Sequence, residues 1–224
     1  MFVGHYAVSF AGKRAAPAVP LSVLFLAVQL LDVGWSVLVL LGIEKVRIVP
    51  GITATNPLDL YYMPYTHSLV AALAWSVAAS ILYRLLAPNA DRRSSLVVGV
   101  AVFSHWLLDF IVHRPDLPLY DNTAKVGLGL WNQPALALGL EAGLLFLGVW
   151  LYLRVRAQRR VALLGFGLAM VGIQVLVFFG PPPASDRMAA ITALAAYLLF
   201  AGIAHVLDRP GRTARTGSTQ VPQK

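Results

Sequence analysis

Apolar and polar positions along this chain fall in long blocks instead of alternating in short steps. Six blocks, 21–41, 67–86, 96–112, 134–153, 161–179 and 188–206, are almost continuously apolar. Crossing the hydrocarbon core of a bilayer takes about 20 such residues in a helix. The breaks are well marked: APNADRRSS after the second block, RVRAQRR after the fourth and GPPPASDR after the fifth. Proline and charge end helices there for ordinary backbone reasons. A membrane β-barrel would instead show short alternating segments. The pattern therefore predicts an all-α, polytopic transmembrane helical bundle of about six spans. It forms a single domain over 1–207, without internal repeats. The polar stretch 208–224, rich in Gly, Ser, Thr and Arg, reads as a disordered cytoplasmic tail. The opening segment MFVGHYAVSFAGKR is too short to span. It predicts a half-helix that dips into the membrane or lies on its surface before AAPAVP turns the chain into the first span.

Composition agrees with this class. Apolar residues make up 58% of the chain, charged residues 12%, and mean hydropathy is +0.70. A soluble domain carries about 25% charged residues. The net charge of +8 is a matter of placement. Counted on alternating sides of the spans, thirteen cations, among them Lys13, Arg92, Arg93 and Arg154 to Arg160, share one side. Five, Lys45, Arg47, Arg114, Lys125 and Arg187, share the other. That asymmetry predicts a plasma (inner) membrane protein with both termini cytoplasmic. The partner implied is the lipid bilayer, not nucleic acid, since no basic stripe is interleaved with aromatics. Lys13 and Arg14 follow the first apolar stretch instead of preceding it, unlike a secretory signal. Nothing in the pattern specifies an oligomeric state.

The chemistry is concentrated in the third span. His105, Asp109 and His113 stand at i, i+4 and i+8 in SHWLLDFIVH, so two imidazoles and a carboxylate share one helical face. Ionisable residues at membrane depth are costly and normally face a partner, a cavity or an ion. With no cysteine in the chain, a metal here is held by imidazole and carboxylate alone. Asp32 is a lone acid in AVQLLDVGWSVL, and His67 opens the second span. If the first segment dips, His5 lies roughly 12 Å above Lys13, close to the depths of Asp32, roughly 18 Å, and His105, roughly 15 Å. Together these residues outline a cavity running from the midplane to the outer leaflet. Glu141 is a second intramembrane acid, readable as a general base or a structural partner. Gln174 reads as helix–helix glue and His205 as a surface residue. The bland alternative for the third span is a hydrogen-bonded ladder between helices.

These residues carry a resemblance. GHYAVSF near the start, an acid after QLL, THS opening a span and SHWLLD within the next are similar to the pattern of the membrane-bound metal-dependent hydrolase family. The likeness covers about the first 115 residues. It implies site roles for His5, Asp32, His67 with Ser68, Ser104 with His105, and Asp109. This chain departs from the family's fuller forms in two places: it has only Asp32 in place of an Asp-x-Asp-His cluster, and YMPY in place of Gly-His-Arg-Gly. Both departures argue against a two-metal site.

The functional expectation is an intramembrane hydrolase acting on an amphiphilic ester or phosphoester. Its metal ligands would come from His5, Asp32, His67, His105, Asp109 and His113, with Zn²⁺ the best match. Asp32 or Glu141 would act as proton acceptor, and Ser68 and Ser104 would buttress the neighbouring histidines. The alternatives are a non-catalytic metal-binding scaffold and a transporter that uses the same polar residues as an ion relay.

Overall fold

The computed structural model describes residues 1–87, 90–157 and 159–209. Of the expected tail, only Asp208 and Arg209 lie within the described residues. Asp208 is firmly held: its carboxylate accepts from Lys13 Nζ at 2.7 Å and from the Tyr152 hydroxyl at 3.0 Å.

The fold is helical, as the apolar blocks require. After a 3₁₀ turn over Val3–His5 come α1 (Tyr6–Ala15), α2 (Leu21–Val28) and α3 (Leu30–Leu40). A two-stranded antiparallel hairpin follows, β1 (Lys45–Ile48) and β2 (Leu58–Tyr62), with Arg47 opposite Asp59. Five long helices complete the chain: α4 (Leu69–Leu86), α5 (Arg92–Val112), α6 (Pro134–Leu153), α7 (Arg160–Phe179) and α8 (Asp186–Leu207). All five are long and apolar enough to cross a membrane, and the bent α2–α3 pair passes the same test when taken together, as one broken span or a re-entrant loop. Leu73 and Val77 of α4 and Leu168 and Leu176 of α7 are exposed, as expected of side chains that meet lipid.

The first segment takes the dipping form. Tyr6 and Phe10 of α1 are fully buried, and α1 packs against α2, α5 and α6. Its approach to α6 depends on Gly148: a Cβ there would lie 2.6 Å from the Cα of Ala7. Small residues allow such close contact between helices in a membrane. Beneath the future site, Tyr6, Phe10, Phe25, Phe166 and Phe200 form a dense aromatic layer, with Tyr6 and Phe25 centroids 4.5 Å apart.

Three local features depart from the sequence expectation. The first span is not one helix, because α2 and α3 meet at Gln29 with a bend of 56°. Gln29 is fully buried and its side-chain amide donates to the carbonyl of Phe2. Breaking the helix frees the last carbonyls of α2 and the first turn of α3. Next, α5 starts at Arg92 instead of position 96, since Asp91 caps it by accepting from the Ser94 amide at 2.7 Å. Finally, the β-hairpin lies in what read only as a connecting loop.

Candidate metal centre

The face of α5 forms the spine of the site. His105, Asp109 and His113 are all buried. Asp109 Oδ2 lies 3.1 Å from His105 Nε2 and 3.5 Å from His113 Nε2. The helix break delivers the second carboxylate. Asp32 stands in the first turn of α3, where the positive end of the helix dipole favours an anion. Its Oδ1 is 3.2 Å from His67 Nε2 and 3.6 Å from His105 Nε2. His67 reaches the cluster from the turn before α4, also 3.7 Å from Asp109 Oδ2. His5 comes from the start of α1. Its Nε2 is 3.1 Å from Asp109 Oδ1, and its ring stacks on His105 with centroids 3.9 Å apart. The amino nitrogen of Met1 also contacts Asp109 Oδ1.

Six residues expected at a metal site therefore converge. Two trios have ligand atoms mutually within 4.8 Å: His5, His105 and Asp109, and Asp32, His67 and His105. His113 sits at the edge, its ring 4.2 Å from that of Trp131.

The hydrogen bonds behind the histidines assign their tautomers. His105 Nδ1 donates to the Val28 carbonyl at 2.7 Å, one of the groups left unpaired at the end of α2. The Thr66 hydroxyl donates to Glu44 at 2.6 Å, so its lone pair is what receives the proton of His67 Nδ1 at 2.8 Å. Glu44 in turn accepts from the Tyr65 and Thr66 amides. His113 Nδ1 donates to Asp116 at 2.9 Å. A neutral imidazole whose Nδ1 carries the proton presents a bare lone pair at Nε2. The Nε2 atoms of all three face the carboxylate oxygens of Asp32 and Asp109, as bare lone pairs when the rings are neutral. His105 Nε2 is fully buried and, despite its distance to Asp109, makes no hydrogen bond. Acceptors facing acceptors in a buried place repel unless a cation lies between them. The donor set, imidazole nitrogen and carboxylate oxygen, fits a divalent ion.

Glu141 stands apart from this cluster. One carboxylate oxygen accepts from the amides of Phe2 and Gly4 at 2.9 and 3.2 Å, and the other faces Gln174 Nε2 at 3.5 Å. Gln174 Oε1 accepts from the Val3 amide. Both residues thus fasten the opening segment, and Glu141 does not line the cavity above the site. The serines next to His67 and His105 also serve the backbone. Ser68 donates to Pro64 and caps α4, while Ser104 donates to Ala101.

The cavity has a volume of about 400 Å³. Asp32, His67, Asp109 and His113 line its polar end, and Trp35, Trp131 and Phe178 are among its apolar walls. It extends toward the hairpin and the 180–185 connection, all on one side of the bundle. Asp32 is the most accessible of the converging groups, its side chain 16% exposed. Tyr197 of α8 donates its hydroxyl to Asp32 Oδ2 at 2.7 Å.

Tyr197, Glu44, Thr66 and Asp116 were not expected at the site. A tyrosine in mid-span, in AAYLLF, was the available signal for the first, since a buried phenol needs a partner. Glu44 and Asp116 read as loop charges. Comparison of the chain with known protein families, curated proteins and solved structures finds no match.

Proposed function

We propose that this protein is an intramembrane metal-dependent hydrolase whose substrate is an amphiphilic ester or phosphoester. The observation that carries the reading is the convergence of the Nε2 atoms of His67, His105 and His113 on Asp32 and Asp109 at the end of an open cavity. His67, His105, Asp32 and Asp109 would hold a divalent ion, Zn²⁺ by donor type, with His5 and His113 flanking it. When bound, that ion supplies a Lewis acid that polarises a carbonyl or phosphoryl oxygen and acidifies water.

The chain's own groups do the rest. Of the two carboxylates that line the cavity, Asp32 is the more exposed, so it takes the proton from attacking water. The Tyr197 hydroxyl fixes the orientation of Asp32 and places a phenol beside the reacting group. Glu44 through Thr66, and Val28 through its carbonyl, hold His67 and His105 with Nε2 forward. Glu141, already bonded to two backbone amides, takes no part in proton transfer.

One-sided access favours this over ion transport. The aromatic layer below the site and the Lys13–Asp208 pair close the other side, whereas a transporter needs a route to both faces. The resemblance of GHYAVSF, THS and SHWLLD to the membrane-bound metal-dependent hydrolases supports the same reading, and the cation asymmetry favours a cavity that opens on the outer side of a plasma membrane. Measuring metal per chain in purified protein, and then ester and phosphoester cleavage with and without chelator, tests the reading. A stoichiometric divalent metal with chelator-sensitive cleavage is expected. Purified protein that binds no divalent metal would overturn it.

A further inference from the structure

Consecutive membrane helices joined by a short connection usually pack along their length, but α7 and α8 do not. They meet through Phe166 and Phe200, whose rings are 5.6 Å apart near one end. Toward the 180–185 connection, residues of both helices line a cavity. The space between them belongs to the cavity that ends at Asp32 and Asp109.

The two walls of this cleft differ in side-chain size. On α8 the cleft is lined by Ala189, Ala193 and Ala196, spaced i, i+4 and i+7 on one face. On α7 it is lined by Ile173, Leu176 and Val177. Leu176 and Val177 are exposed at 51–69%, like the neighbouring Phe179, Ile191 and Leu198 at 48–60%, so the cleft is open on its lipid side. The alanines keep open a space that larger residues would fill.

Such a gap between two spans does not stay empty. Its lining would lose dispersion contacts, and water along these apolar walls would lack hydrogen-bond partners. The occupant must be slender, apolar and supplied by the surroundings, which describes the hydrocarbon chain of a membrane amphiphile. A second protein copy is too broad to enter between two helices of one bundle. The volume of about 400 Å³ is near the lower end of small-molecule pockets, about 300–1,000 Å³, so one chain with its polar end fits.

We infer that the α7–α8 cleft is an alkyl-chain subsite that holds one hydrocarbon chain with the attached polar group at Asp32 and Asp109. The inference rests on the hydrolase reading only for what then happens to that polar group. It makes Ala193 and Ala196 the residues that set which chains are accepted.

The test is photolabelling of the full chain in lipid nanodiscs with a diazirine-bearing palmitic acid, followed by peptide mapping. Labels should concentrate on 173–177 and 189–196. Filling the cleft by Ala193→Phe should reduce them about tenfold, the effect of overpacking a filled site. Labels at Val70, Leu73 and Val77 on lipid-facing α4 should not change. Ala196→Leu is a milder filling that serves if Ala193→Phe fails to fold. Labelling spread equally over α4 and the cleft, or unchanged by both substitutions, would overturn the subsite. The readout needs no turnover, so the two readings fail separately. Cleft labelling in a protein that cleaves nothing leaves the subsite standing without the hydrolase; cleavage with evenly spread labelling does the reverse.

Discussion

Two helix pairs, α4–α5 and α7–α8, show how this bundle separates holding a site from giving access to it. Each pair is antiparallel with a short connection, and each helix is long enough to cross a membrane. The first pair is closed along its length. Gly99 lies so near α4 that a Cβ would stand 3.1 Å from the Ser76 carbonyl, and Ser76 donates to the Gly99 carbonyl. That closure sets His67, just before α4, against His105 on α5, with ring centroids 5.4 Å apart. The second pair is joined near one end by aromatic rings and open at the other, and its glycines Gly165 and Gly172 face open space. Lipid tails are as apolar as leucine, so the hydrophobic effect does not press membrane helices together. Close approach and polar bonds decide which pairs zip, and α7–α8 has only the bond from Arg159, at the start of α7, to the Val206 carbonyl, at the end already joined by the rings.

The largest expected effect strikes what the closed pair holds. His105→Ala should reduce bound divalent metal to background in elemental analysis and abolish chelator-sensitive cleavage, with the protein still eluting as a folded species. Asp109→Asn should do the same. Glu141→Gln should keep its metal, because Glu141 serves the opening segment. Metal lost equally from all three variants would erase the distinction between cluster and fastening.

Next in size is the support behind His67. Thr66→Val removes the acceptor for Nδ1 and should weaken metal affinity about 10- to 100-fold in a competition titration. Unchanged affinity would show that the Glu44–Thr66 relay does not orient the ring.

Smaller effects probe the packing itself. Gly99→Ala forces α4 and α5 apart and should cost on the order of 1 kcal/mol in thermal or denaturant unfolding. Gly172→Ala on the open pair meets nothing, so it should be neutral or stabilise by up to about 1 kcal/mol through helix propensity. Equal destabilisation by both would mean that the pairs do not differ in the way described.

Much of the site was legible because its spine is local. The i, i+4, i+8 ladder of α5 needs only helical periodicity, and His67 stands beside its own span. The first segment could be read as dipping or as lying flat, and burial of Tyr6 and Phe10 decided for dipping. The sequence left roles open where they depend on partners far along the chain. Glu141 matched the type of a general base, but its partners are the amides of Phe2 and Gly4, 139 and 137 residues away. Ser68 and Ser104 adjoin His67 and His105 in sequence, yet on a helix neighbouring residues face different directions, and both bond to backbone.

By itself the sequence determined the membrane class, the helical spans and the ladder on α5. Those follow from hydropathy and period, which are properties of each segment alone. Tertiary structure decided where the first span breaks, which carbonyl orients His105, that Tyr197 meets Asp32, and that α7 and α8 stay apart. Each of these is a meeting of residues distant in sequence. A bend at Gln29 has no local signature such as proline; it rests on a buried amide reaching Phe2. An opening between two helices is set by what the side chains across it fail to fill, and no single segment carries that information.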